Sequence, residues 1–162
     1  AQGQVVEAVN FNTPEQVVIA GHAAAVQRAA EAAKARGAKR AVLLPVSAPF
    51  HCSLMKPAAE RLGQRLADLS LSSPQIKVIN NTDVACLTDP LLIKDALVRQ
   101  AASPVRWVET MQAMAALGIT HVYECGPGKV LAGLVKRCAD GLTGGAMADL
   151  AGMEAAIAVM NA

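Results

Sequence analysis

Residues 45–55 read PVSAPFHCSLM, and they stand where two differently patterned parts of the chain meet. The apolar run AVLLPV (41–46) predicts a buried strand, whereas apolar residues recur at helical spacing from Leu54 onward. The stretch therefore divides a small sheet-bearing part, residues 1–48, from a larger α/β part, residues 49–162.

The small part is predicted to contain three strands and one helix. Residues 4–11 and 16–21 form a hairpin across the turn residues between them, and the Ala-rich residues 22–37 form a helix. A strand at 41–46 completes the order strand, strand, helix, strand. This order matches a ferredoxin-like βαββαβ unit whose first strand and first helix are absent.

The larger part alternates helices with short strands, as in a sheet covered by helices. Helices are predicted at 54–69, 90–102, 105–118 and 129–141, strands at 75–81 and 120–125, a tight turn at 126–128, and a loop followed by a last helix over 144–162. The fold class is therefore α/β.

Composition excludes several classes of protein. The 162 residues are 53% hydrophobic and only 2% aromatic, with a net charge of +2. This balance does not favour nucleic-acid binding, and no apolar run is long enough to span a membrane. The cysteines lack metal or redox spacing, which is typical of buried thiols in a reducing compartment such as the cytoplasm. They are Cys52, Cys86, Cys125 and Cys138.

His51 is the strongest candidate for chemistry. It follows a predicted strand at a loop-to-helix junction, and Pro49 restricts the backbone before it. A neutral imidazole there could take a proton from a serine or cysteine. The alternative is a structural histidine that caps the following helix.

A catalytic histidine needs a partner that orients its second ring nitrogen. The helix ending near Gln100 has unpaired terminal carbonyls that could accept from an imidazole N–H. The alternative for this helix end is closure by solvent and by Pro104. No two histidines have metal-ligand spacing, so no metal site is predicted.

Other polar residues could contact a ligand. Lys39 and Arg40 are either a solvated pair or a phosphate contact. Alternation places Asn10 and Asn12 on the face opposite Phe11, which is expected to point into the core. The two amides could bind a ligand or organise the hairpin. GPGKVL (126–131) fits neither the P-loop pattern nor the dinucleotide-binding pattern and is interpreted as a structural turn. The alternative is that the free N–H groups of the helix start after it meet an anion.

Five segments together resemble the malonyl-CoA:acyl-carrier-protein transacylase family of bacterial fatty-acid synthesis. In order, they are NFNTPEQVVIAGH (10–22), PVSAPFHCSLMKPA (45–58), INNTD (79–83), LVRQAASPVRW (97–107) and YECGPGKVL (123–131). The combination is specific, although each piece alone is weak.

The resemblance implies an α/β-hydrolase-like subdomain, of which residues 49–162 are the C-terminal part, and an incomplete ferredoxin-like subdomain at residues 1–48. It implies malonyl transfer from coenzyme A to the phosphopantetheine thiol of acyl carrier protein through an acyl-serine. His51 matches the general base, and Gln100 matches the residue whose backbone carbonyl orients it. No permanently bound cofactor is implied, since the coenzyme A thioester is the substrate.

The resemblance also implies parts that these residues do not contain. The family's GHSxGE nucleophile motif and its malonate-binding arginine have no counterpart here. GHAAAV (21–26) places Ala23 after Gly-His, but it follows a different strand and is no nucleophile elbow. We therefore expect residues 1–162 to be the C-terminal half of a longer enzyme and to be inactive alone. Lys39 and Arg40 match basic residues near the coenzyme or carrier-protein entrance. The alternative is a non-catalytic ferredoxin-like module that binds acyl-CoA or acyl carrier protein.

Overall fold

The computed structural model describes residues 3–161, which form a mixed α/β fold divided into two compact units. The first unit contains residues 3–11 and 17–106, and the second contains residues 12–16 and the residues from 107 onward. This division does not test the assignment of residues 1–48 and 49–162 to two subdomains, which stays a prediction.

The first unit begins with the predicted hairpin and helix. Strand β1 (Val6–Thr13) pairs with β2 (Gln16–Gly21), and helix α1 (Ala23–Ala35) follows. Pro14 and Glu15 make the connection, because proline suits a tight turn. The tip of the hairpin, residues 12–16, belongs to the second unit.

The rest of the first unit consists of helices and one short strand pair. A single 3-10 turn (Ser53–Met55) leads into α2 (Lys56–Ala67), which packs against α3 (Pro90–Gln100). Between these helices, β3 (Ile79–Asn80) pairs antiparallel with β4 (Ala85–Cys86). The Asp89 carboxylate begins α3 by accepting from the Leu91 N–H at 2.8 Å.

The second unit is a strand–helix–strand unit between two helices. It consists of α4 (Trp107–Ala116), β5 (His121–Cys125), α5 (Val130–Val135), β6 (Thr143–Met147) and α6 (Leu150–Met160). Strands β5 and β6 are parallel, with His121 opposite Thr143 and Cys125 opposite Met147. The core of this unit is Met111, Val135, Cys138 and Leu142.

The predicted strand at 41–46 is wrong. These residues have no regular secondary structure, and the side chains of Val42, Leu43 and Val46 are 58%, 65% and 64% exposed. A strand needs a neighbour for its backbone hydrogen bonds, and residues 3–161 provide none for this run. The predicted strand at 75–81 is likewise reduced to its last part, Ile79–Asn80.

The predicted loop after residue 144 contains a strand. Gly144 and Gly145 disfavour a strand by propensity, but both lie in β6. A Cβ at Gly144 would collide with the carbonyl oxygen of Ala132, and a Cβ at Gly145 would lie 2.6 Å from the Tyr123 ring. Glycine is therefore required here by packing.

Two expectations about burial also need correction. Phe11 is 37% exposed, although its neighbours at alternate positions, Val9 and Thr13, are buried. Alternation along a strand determines which side chains lie on the same face of the sheet, but not whether another element covers each of them. Of the cysteines, Cys86 and Cys125 are exposed free thiols rather than buried ones.

None of the helices formed by residues 3–161 combines the length and the apolar character needed to cross a lipid bilayer.

Gly144→Ala is expected to lower the stability of the protein by about 1–3 kcal/mol, because the added methyl forces β6 away from Ala132. Gly133→Ala is the matched control, since no heavy atom lies within 4 Å of its Cβ position and alanine favours a helix. Thermal unfolding of both variants measures the difference. Equal midpoints would contradict the packing role of Gly144.

Candidate functional site

His51 lies in an unusual backbone conformation. Its φ is +64°, in the left-handed region that costs most residues about 1–2 kcal/mol. On its N-terminal side, the Pro49 carbonyl accepts from the Cys52 N–H at 3.4 Å. On its C-terminal side, the Cys52 side chain is completely buried. A hydrogen bond across the turn and the burial of Cys52 therefore flank His51.

The His51 ring contacts the end of α3. Nδ1 lies 3.0 Å from the backbone carbonyl oxygen of Gln100. Because a carbonyl can only accept, Nδ1 carries the proton of a neutral ring, and Nε2 keeps its lone pair. His51 does not cap the following turn: the N-cap position of the 3-10 turn (Ser53–Met55) is Cys52, and its side chain makes no capping hydrogen bond. A main-chain oxygen therefore sets the tautomer of the neutral His51 ring.

The Gln100 carbonyl is available because α3 ends there. The last carbonyls of a helix have no partner within it, and they carry the negative end of the helix dipole. The lone pairs of the Gln100 carbonyl therefore meet the His51 ring at this helix end.

Arg99, the residue before Gln100, anchors the end of α3. Its guanidinium binds both oxygens of Asp83 at 2.8 and 2.9 Å, and its Nε binds Asp95 at 2.7 Å. The hydrogen bonds and charge of Arg99 lower the pKa of Asp83, and the two carboxylates raise the pKa of Arg99 above its usual range. This network joins α3 to the loop between β3 and β4.

That loop is shaped by Asn80. Its Oδ1 accepts from the N–H groups of Thr82 and Asp83 at 3.1 and 2.8 Å, and its Nδ2 donates to the Ala85 carbonyl. The turn brings Val84 to a φ of +56°. An asparagine side chain that mimics a backbone turn explains this geometry and presents Asp83 to Arg99.

Glu7 holds the chain just after His51. Its two carboxylate oxygens accept from the hydroxyl and the N–H of Ser53, at 2.6 and 2.7 Å. These two bonds, with a further contribution from the charge of Lys56, lower the pKa of Glu7. The sequence analysis missed this residue, although a lone carboxylate in the apolar run VVEAV (5–9) was a signal.

The other candidate binding residues are dispersed. Asn10 forms a parallel bridge to Val105 in the first unit, whereas Asn12 belongs to the second unit, where its carbonyl accepts from the Cys138 thiol at 3.2 Å. Both asparagines are partly buried, so the expected exposed face is not observed. Lys39 and Arg40 are exposed in the irregular segment after α1.

The start of helix α5, which follows the GPG turn (126–128), does not offer a free anion site. The Glu124 carboxylate already accepts from the Ala132 N–H in the first turn of α5, at 3.0 Å. An anion there would meet a negative charge, which agrees with a structural turn. Within the described part of the chain, no group of three or more His, Cys, Asp or Glu side chains could hold a metal ion.

No side chain among residues 3–161 forms a nucleophile pair with His51. The Ser53 hydroxyl donates to Glu7, and Cys52 is completely buried. The one hydrogen bond that the structure shows for the His51 ring goes to Gln100. The structure therefore shows an imidazole that is oriented through Nδ1.

Comparison with known proteins identifies the family. The model of the acyl transferase domain matches residues 1–156. The chain belongs to the acyl transferase domain family. Among curated members, it is 56% identical over 157 residues to the malonyl CoA-acyl carrier protein transacylase of Salmonella typhimurium, covering 97% of this chain and 51% of that protein. The Bacillus subtilis enzyme of the same name is 43% identical over 160 residues, with 99% and 50% covered.

Solved structures of the family agree. The acyl-carrier-protein S-malonyltransferase of Burkholderia pseudomallei matches with a TM-score of 0.93 at 58% identity, over 97% of this chain and 51% of that one. A malonyl-transacylase in complex with its type II PKS acyl-carrier protein matches with a TM-score of 0.96 at 48% identity, over 98% and 52%. The chain spans about half the length of the relatives it matches.

Asp83→Asn is expected to lower the thermal midpoint of unfolding, because it breaks the forked pair with Arg99. Since the folded pKa of Asp83 is lowered, its stabilisation is fully present above the ordinary Asp pKa of about 3.9 and is lost as pH falls below it. The difference between wild type and variant is therefore large at pH 7 and shrinks in strong acid. Asp95→Asn, which loses a more exposed pair, is the control with a smaller effect. A pH-independent difference would contradict this account.

Proposed function

We propose that this chain supplies the general base of a malonyl-CoA:acyl-carrier-protein transacylase. The observation that carries the proposal is the 3.0 Å contact between His51 Nδ1 and the Gln100 carbonyl, which leaves Nε2 basic. Membership of the acyl transferase domain family, and relatives named malonyl CoA-acyl carrier protein transacylase, support the choice of reaction and substrates.

In the proposed reaction, His51 moves protons in two half-reactions. Nε2 takes the proton of a serine hydroxyl as its oxygen attacks the malonyl thioester, and it returns that proton to the coenzyme A thiolate that leaves. In the second half, Nε2 takes the proton of the carrier's phosphopantetheine thiol as the sulfur attacks the malonyl-serine ester. The proton then passes to the serine oxygen. Orientation by Gln100 keeps Nε2 as the acting nitrogen throughout.

The serine would come from another part of a longer polypeptide, since the relatives are about twice as long as this chain. The exposed apolar run 41–46, with Leu43 65% exposed, supports a covering segment. We further propose that residues 1–48 belong to a ferredoxin-like subdomain and residues 49–162 to an α/β-hydrolase-like one. The order β1, β2, α1 and the parallel β5–α5–β6 unit support these assignments.

Recognition of the substrates is assigned to the exposed cations Lys39 and Arg40. They would contact phosphate groups of coenzyme A or acidic residues of the carrier protein. Asn10 and Asn12 remain candidates for polar contacts with a substrate. The carrier protein is the proposed partner, supported by the relative solved in complex with one. Free exposed thiols at Cys86 and Cys125 favour the reducing cytoplasm as the location.

His51→Ala in the complete polypeptide is expected to lower malonyl transfer by about 10²–10⁴-fold, the usual contribution of a general base. His121→Ala is the matched control, because His121 is an exposed histidine of the second unit. Transfer from malonyl-CoA to acyl carrier protein is the measurement, with thermal unfolding to check that both variants fold. Near wild-type transfer by His51→Ala would refute the proposal and favour a non-catalytic module that binds acyl-CoA or carrier protein.

Residues 1–162 alone are expected to form no covalent acyl-enzyme with malonyl-CoA, because the Ser53 hydroxyl is bound to Glu7 and no serine pairs with His51 in the described part. Intact-mass spectrometry after incubation with malonyl-CoA checks this. The complete polypeptide, treated in the same way, is the positive control. A stable malonyl adduct on a serine of the shorter chain would show that the nucleophile lies within it.

A further inference from the structure

Glu7 is a charged side chain that the proposed proton transfers do not use. Both of its carboxylate oxygens are committed to one residue, Ser53, which lies two positions after His51. The two bonds are 2.6 and 2.7 Å long, as expected for hydrogen bonds to a charged acceptor. Glu7 lies on β1, 46 residues from Ser53 along the chain.

We propose that Glu7 is a positioning residue of this site: by holding Ser53, it keeps His51 in its left-handed conformation, so that the ring reaches Gln100. This inference rests on the proposed role of His51 as the base. Its physical basis is that a φ of +64° is costly for a residue with a side chain, so the turn relaxes if nothing holds it.

Strand β1 also binds the segment that follows Gln100, on the other side of the contact between His51 and Gln100. The Val9 carbonyl accepts from the Val105 N–H at 2.8 Å, and the Phe11 N–H donates to the Val105 carbonyl at 3.0 Å. Val105 lies five residues after Gln100, in the segment that follows α3. A closed circuit therefore runs from β1 to Ser53, from His51 to Gln100 and from Val105 back to β1 through hydrogen bonds, whereas the chain itself links Ser53 to His51 and Gln100 to Val105.

The circuit explains why a carboxylate is suited to position 7. Glutamate offers two acceptors, one for the Ser53 hydroxyl and one for its N–H. Glutamine keeps an acceptor for the N–H, and its amide can donate to the hydroxyl, which also accepts. Alanine keeps neither bond, and Ser53→Ala removes only one. The wild type and the variants Glu7→Gln, Ser53→Ala and Glu7→Ala therefore form a graded series that weakens the same contact step by step.

The test measures kcat and KM of malonyl transfer in the complete polypeptide. Glu7→Ala is expected to lower kcat at least 10-fold, toward the roughly 10²-fold loss that a misplacement of about 1 Å can cause, while KM changes less than about 2-fold. Glu7→Gln is expected to retain most of kcat, and Ser53→Ala to fall between them. Glu31→Ala, on the exposed face of α1, is the matched control.

A double-mutant cycle separates positioning of His51 from a general loss of structure. In a His51→Ala background, Glu7→Ala is expected to cause no further loss of kcat, because the base it positions is gone. An equal fold-loss in both backgrounds would overturn the inference. An unchanged kcat in Glu7→Ala, with His51→Ala inactive, would also overturn the inference about Glu7. That result would leave the proposed function of His51 intact.

A readout independent of activity is the tautomer of the His51 ring, observed by ¹⁵N NMR. Wild type and Glu7→Gln are expected to show the proton on Nδ1, and Glu7→Ala a mixture of both tautomers. An unchanged tautomer in Glu7→Ala overturns the inference even if His51→Ala proves that the proposed function is wrong. If Glu7→Ala does not fold, kcat and the His51 tautomer are measured in Ser53→Ala instead. A wild-type kcat and a wild-type tautomer in that variant would overturn the inference.

Discussion

The hydrogen bond between the His51 ring and the Gln100 carbonyl is the contact on which the site depends. It joins a strained turn to the end of α3, and it selects the tautomer that leaves Nε2 basic. A main-chain oxygen at a helix end is a rigid acceptor, because the helix behind it fixes its direction. Orientation of the His51 ring by this oxygen therefore needs no particular side chain at position 100, only a helix that ends at the right place.

Charged groups bind the chain on both sides of the contact between His51 and Gln100. Arg99 ties the end of α3 to the Asp83 loop, and Glu7 grips Ser53 on the other side of the turn. Forked ion pairs and bidentate carboxylates constrain direction as well as distance.

The apolar surface left on the first unit has a physical meaning of its own. A run with the pattern of a strand, residues 41–46, is neither paired nor buried, and Ile76 and Val78 are 77% and 53% exposed before β3. Contiguous exposed apolar segments in soluble proteins usually mark surfaces that another structure covers. Together with relatives about twice as long, they agree with the proposal that this chain functions within a larger enzyme.

Local patterns were sufficient for the hairpin, for most of the helices and for β5, because turn residues and apolar spacing act between near neighbours. The helix predicted at 129–141 is shorter than expected, since α5 ends at Val135. The five motif segments together also sufficed to predict the family. Contacts between distant residues were beyond reach: the Glu7–Ser53 clamp, the left-handed backbone of His51 and the packing that makes glycine necessary in β6. The periodicity of apolar residues indicates which face of a helix or strand a residue lies on. The element that packs against this face is determined only by the tertiary structure. The strand pattern at 41–46 remains unpaired for the same reason.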